Sequence, residues 1–142
     1  VVAANYNSPG QVAISGSPEA VESVMDSAKT SGARMTVQLN VSGAFHSPLM
    51  APAREALADS LDSFEISDSL FPIFTNVDAE PITKGHKIKD SLIRQLENPV
   101  LWSKSILSMK DFGIQSFTEV GPGKILQGLN KRIDRKIATQ GV

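Results

Sequence analysis

Gly43-Ala44-Phe45-His46-Ser47-Pro48-Leu49-Met50 is the stretch on which the fold turns, because it sets a histidine between an apolar run and the start of a helix. Upstream, Met35-Thr36-Val37-Gln38-Leu39-Asn40-Val41 alternates apolar and polar residues with the period of a half-buried strand. Downstream, Pro48 suits the first turn of a helix continuing through Met50, Arg54, Leu57 and Leu61. The order predicted is strand, junction, helix, with His46 in the junction, where loops present chemistry on a rigid frame. Spacing alone leaves His46 two roles: a core side chain with both nitrogens satisfied, or a reactive imidazole.

Working outward toward the N-terminus, Val1 to Asn7 and Gln11 to Gly16 read as two short strands joined by a turn at Asn7-Ser8-Pro9-Gly10. Ser17-Pro18-Glu19 supplies a cap and a first-turn proline. Ala20, Val21, Val24, Met25 and Ala28 then recur at helical spacing until Gly32. With the strand from Arg34 to Val41 this makes a strand-strand-helix-strand unit, most of a ferredoxin-like split unit without its first strand and helix.

Toward the C-terminus, the helix after Ser47 runs to about Phe64, with Leu49, Met50, Ala53, Leu57 and Leu61 predicted inward. Residues 69–77 form a short apolar run typical of a buried strand, which Asp78-Ala79-Glu80-Pro81 ends. A helix is predicted within Gly85 to Asn98, stopped by Pro99, and another through Trp102, Ile106 and Met109, stopped by Gly113. Residues 114–120 read as a strand entering the turn Gly121-Pro122-Gly123. The last helix, from Lys124 to about Ile133, turns Ile125, Leu126, Leu129 and Ile133 inward. Strands 69–77 and 114–120 are expected to be parallel neighbours in a larger sheet. The class is therefore α/β.

Composition narrows the function. Fourteen basic and fifteen acidic residues leave a net charge of −1, which gives no broad electrostatic footprint for nucleic acid or an anionic membrane. The basic run Lys131 to Lys136 reads as a solvated helix end. The absence of cysteine removes disulfides and thiolate metal sites, and no apolar run approaches the roughly 20 residues of a membrane span. His46 and His86 are isolated from acidic partners at ligand spacing, so no metal site is expected. Asp59 and Asp62 fit a wet helix face rather than a pair of reacting carboxylates. Gly121-Pro122-Gly123-Lys124 lacks the spacing of a nucleotide-binding loop. The setting expected is cytoplasmic.

Four segments together carry a resemblance. The octet around His46, Asn5-Tyr6-Asn7-Ser8-Pro9-Gly10-Gln11, Gln95-Leu96-Glu97-Asn98-Pro99-Val100-Leu101-Trp102 and Glu119-Val120-Gly121-Pro122-Gly123 are similar to segments of the malonyl-CoA:acyl-carrier-protein transacylases and the related polyketide synthase acyltransferase domains. The likeness runs from about Val1 to Ile133 and covers the C-terminal half of the family's usual length. It implies a partial ferredoxin-like small subdomain over residues 1–43, followed over residues 44–142 by the C-terminal part of an α/β-hydrolase-like acyltransferase core. The family's nucleophilic serine lies in a G-H-S-x-G elbow, which this sequence does not contain. The chain opens at Val1 without a methionine and is expected to be one part of a longer enzyme, inactive by itself.

The resemblance also assigns roles. His46 becomes the general base for the serine, and the backbone carbonyl of Gln95 holds its second nitrogen. Phe45, in the position that goes with malonyl rather than methylmalonyl selection, fills the space of an α-methyl group, a discrimination of about 1–3 kcal/mol; Gly43 departs from the usual H-A-F-H context. Asn7 and Gln11 are candidates to bind an acyl or pantetheine group, against an ordinary role in the turn. The implied reaction is ping-pong malonyl transfer from malonyl-CoA to the phosphopantetheine thiol of acyl carrier protein. Coenzyme A enters as the substrate thioester and no further cofactor is implied. The partners are malonyl-CoA, the carrier protein and the upstream half of the enzyme. Alternatives are a piece of a polyketide acyltransferase domain, or a non-catalytic ferredoxin-like binding module in which His46 only packs.

Overall fold

A computed structural model describes all 142 residues. The N-terminal hairpin forms as the turn residues predict: β1 (Val2–Ser8) pairs antiparallel with β2 (Gln11–Ser15), Tyr6 opposite Val12, about a turn in which Gly10 takes φ +74°. Helix α1 (Pro18–Thr30) starts where Ser17 Oγ accepts from the Ala20 amide at 3.4 Å. The strand predicted from Arg34 to Val41 does not form. That segment runs without a ladder, and Met35 (77% exposed), Val37, Leu39 and Val41 stand open. Alternation decides which face a strand would bury, but a strand also needs a neighbour to complete its N–H···O=C ladder, and none lies beside it. The strand-strand-helix-strand unit therefore lacks its last strand.

After the junction, Pro48–Met50 makes a 3-10 turn that leads into α2 (Ala51–Asp62). The predicted strand 69–77 shrinks to β3 (Ile73–Phe74), paired antiparallel with β4 (Pro81–Ile82). Helix α3 (Gly85–Arg94) ends four residues short of Asn98, because the Asn98 side-chain amide donates to the Arg94 carbonyl at 2.8 Å and Pro99 bars continuation. Helix α4 (Trp102–Asp111) follows as predicted. Strand β5 (Ser116–Glu119) is parallel not to 69–77 but to β6 (Ala138–Gly141), which the sequence did not announce, and α5 (Ile125–Ile133) is their crossover.

The core lies where β1 packs on α4 and α5, around Ala4, Ile106, Leu129 and Ile137, with Ile88 of α3 buried separately. Only 13 of 142 residues are buried and none of them is in α1 or α2, so several apolar faces predicted inward are open. Leu49 is one and Ile125, at 73% exposed, another. The hairpin is stitched to the rest by main-chain bonds: Tyr6 N–H donates to the Val100 carbonyl at 2.9 Å, and Val100 N–H to the Ala4 carbonyl at 2.8 Å.

Candidate active site

His46 sits in the junction with φ +60°, a left-handed conformation that costs a residue with a Cβ about 1–2 kcal/mol. Its neighbour Ser47 holds that turn. Ser47 is buried, donates from Oγ to the Ala44 carbonyl at 2.6 Å, and accepts from the Leu49 amide at 3.3 Å. The same hydroxyl thus closes the turn behind His46 and caps the 3-10 turn ahead of it.

The half-buried imidazole meets a main-chain acceptor: His46 Nδ1 lies 2.7 Å from the Gln95 carbonyl oxygen. A carbonyl can only accept, so the proton resides on Nδ1, and in the neutral ring Nε2 carries the free lone pair. That is the tautomer a general base requires. Gln95 follows directly on α3, where helix carbonyls lack intrahelical partners, and its oxygen is one of these.

Gln95 is held from several sides. The Asn76 side-chain amide donates to Gln95 Oε1 at 3.1 Å, and the Asn76 carbonyl accepts from Leu101 N–H at 2.8 Å. Arg54 of α2 pairs with Glu97. Immediately before Gln95, Arg94 spans Asp78 at 2.7 Å and Asp90 at 2.6 Å. Asp78 also accepts from Thr75 Oγ1 at 2.7 Å and from the buried Ser91 hydroxyl. Burial pushes the Asp78 carboxyl up, but the Ser91, Arg94 and Thr75 donors together outweigh it and hold the group below its ordinary value. Asn76, Asp78 and Ser91 are functional-site neighbours that periodicity did not mark. Their one signal was that Asp78 opens the polar exit of the run 69–77, with Asn76 a polar residue near the end of that run.

Phe45 is 45% exposed, and its ring lies over Gly43, where an added Cβ would be in ordinary contact with it at 3.6 Å. Asn7 is half-buried on β1. Gln11 opens β2 and gives its side-chain oxygen to Arg132 of α5, so the hairpin residues are not joined to the His46–Gln95 pair. His86 is exposed in the first turn of α3, and no group of three or more potential ligands gathers for a metal. At the Gly121-Pro122-Gly123 turn, the α5 N-terminus is already taken by an anion of the chain itself. Glu119 accepts from the Leu126 amide at 2.9 Å and the Gln127 amide at 3.3 Å, which holds its carboxyl below the usual value.

A mixed α/β chain that binds a junction histidine to a main-chain carbonyl has the parts of an acyl-transfer base. Comparison gives the class: the family described as acyl transferase domain matches residues 1–138, and the chain belongs to that family. It is 44% identical over 139 residues to the malonyl CoA-acyl carrier protein transacylase of Bacillus subtilis, covering 98% of this chain and 44% of that protein. It is 46% identical over 129 residues to the protein of that name from Escherichia coli, covering 91% and 42%. The crystal structure of an acyl carrier protein S-malonyltransferase from Vibrio cholerae superposes with a TM-score of 0.95 at 41% identity, over 99% of this chain and 46% of that one. A malonyl-transacylase solved in complex with a type II PKS acyl-carrier protein gives a TM-score of 0.94 at 39% identity, over 99% and 45%. The chain thus spans under half the length of the relatives it matches.

Proposed function

We propose that this chain supplies the histidine base of a malonyl-CoA:acyl-carrier-protein transacylase of fatty-acid synthesis. A serine hydroxyl attacks the thioester carbonyl of malonyl-CoA and loses its proton to His46 Nε2. Coenzyme A leaves as the thiol, taking that proton. The phosphopantetheine thiol of acyl carrier protein then attacks the malonyl-serine ester, again with His46 taking the proton and returning it to the serine oxygen. The imidazolium formed in each half-reaction is steadied by its Nδ1–H bond to the Gln95 carbonyl. The observation that carries this reading is the 2.7 Å contact between His46 Nδ1 and Gln95 O.

The serine belongs to the part of the family fold that this chain's match does not cover, since these residues contain no G-H-S-x-G elbow. We assign residues 1–43 to part of a ferredoxin-like small subdomain and residues 44–142 to the C-terminal part of an α/β-hydrolase-like core. Met35 to Val41 gains its strand partners from the uncovered part of that sheet. Phe45 limits the space beside the malonyl α-carbon, while Asn7 and Gln11 face the acyl or pantetheine group. The reaction uses coenzyme A as a substrate thioester and proceeds in the cytoplasm; no helix is long and apolar enough to cross a membrane.

Malonyl transfer from malonyl-CoA to acyl carrier protein, measured with the complete enzyme and with its His46→Ala variant, tests the reading. A loss of about 100-fold or more is expected. Undiminished transfer in His46→Ala overturns it.

A further inference from the structure

We propose that Asp78 is a positioning residue of this site, acting on the reaction only by fixing the carbonyl that orients His46; the proposal rests on the reading of His46 as the base. The Gln95 carbonyl must keep one direction toward His46, yet it comes from the C-terminal cap of α3, where the residue four positions on is Pro99 and offers no amide to hold it. Something outside the helix has to fix it.

The turn Thr75 to Ala79 does so. Ala79 is fully buried with φ +56°, and its amide donates to the Thr75 carbonyl at 3.1 Å, so this turn is tight and enclosed. Asp78 is its one acidic group. It gathers Thr75 from its own turn together with Ser91 and Arg94, which stand one helical turn apart on α3. Ser91 is 1% exposed, so α3 is seated against the turn along its last turn. Two residues before Asp78, Asn76 reaches Gln95 itself. The turn therefore grips both Arg94 and Gln95, the residues on either side of the helix end.

The distinction from plain structural support is that Asp78 acts through one atom, the Gln95 oxygen. Three variants of the complete enzyme resolve this: His46→Ala, Asp78→Asn, and the two combined. Asp78→Asn is expected to lower kcat about tenfold with KM for malonyl-CoA unchanged. It is also expected to move the His46 ring 15N shifts toward a mixture of tautomers. In the His46→Ala background the same substitution is expected to remove nothing further. Undiminished kcat with unmoved His46 shifts overturns the proposal. So does an equal fractional loss in both backgrounds, which marks a general effect on the fold. If Asp78→Asn does not fold, Arg94→Lys, which keeps the charge and loses the forked geometry, carries the same readouts. Undiminished activity in His46→Ala alone sinks the underlying reading instead, and is told apart from failure of the proposal by that variant.

Discussion

Arg54 Nε lies 2.5 Å from Glu97 Oε2, so the helix that follows His46 is latched to the segment that supplies its carbonyl partner. The two elements are thus joined twice, once at His46 and once in the first turn of α2. Both side chains are partly exposed, at 34% and 24%, which limits the pair to about 1 kcal/mol or less. A double-mutant cycle with Arg54→Met and Glu97→Gln should show a coupling of that size that shrinks in high salt. Zero coupling in urea unfolding would mean that the Gln95 contact holds the junction unaided.

Backbone strain at His46 gives a second, opposite-signed expectation. At φ +60° an alanine keeps the steric penalty of the left-handed region, and a glycine does not. Both variants lose the imidazole contact, so His46→Gly should be more stable than His46→Ala by about 1 kcal/mol. Paired denaturant midpoints decide it, and alanine equal to or above glycine would show that the strain is relieved elsewhere.

How much of this was legible beforehand follows from where the information resides. The hairpin, α1, α4 and the junction were readable because their signals are local: a Pro-Gly turn, Ser17 before Pro18, a glycine stop, a proline after His46. Met35 to Val41 has an equally good strand pattern and is no strand, since pairing depends on a neighbour and not on alternation. Strand β6 was invisible for the converse reason. Ala138-Thr139-Gln140-Gly141 has little apolar periodicity and is a strand only because β5 runs beside it. The Gln95 role came through family resemblance, which no side-chain pattern reveals, because its working atom is a carbonyl every residue owns. The Asp78 cluster was hidden by its spread over residues 75, 78, 91 and 94, which only the fold brings together.

Gly85 is where the fold is least tolerant of an added atom. A Cβ there would stand 1.7 Å from the Ile66 carbonyl oxygen, and the Gly85 amide donates to Asp68 Oδ1 at 2.9 Å, so chain and helix meet backbone to backbone. Gly85→Ala must displace the 66–68 segment or tilt α3, at a cost of about 1–3 kcal/mol. Because α3 ends at the Gln95 carbonyl, a tilt should also lower the transfer rate. A variant of unchanged thermal midpoint and rate would show that the loop moves freely.

Glu119 links acid to the stability of the last helix. Its carboxyl is held below its usual value chiefly by the Leu126 amide; burial pushes the other way, and the Gln127 side-chain and main-chain donors add to the lowering. A carboxyl lowered in the folded state stabilises the fold above its unfolded value of 4.5, and that contribution disappears as pH falls through the lower, folded value. Acid below about pH 4.5 should therefore loosen the start of α5 before the core at Leu129. Protection factors for the Leu126 and Gln127 amides, measured by hydrogen exchange at pH 7 and near pH 3.5, should fall relative to that of Leu129. In Glu119→Gln the two amides should already be weakly protected at pH 7 and should change little on acidification. Equal acid sensitivity in parent and variant would place the titrating group elsewhere.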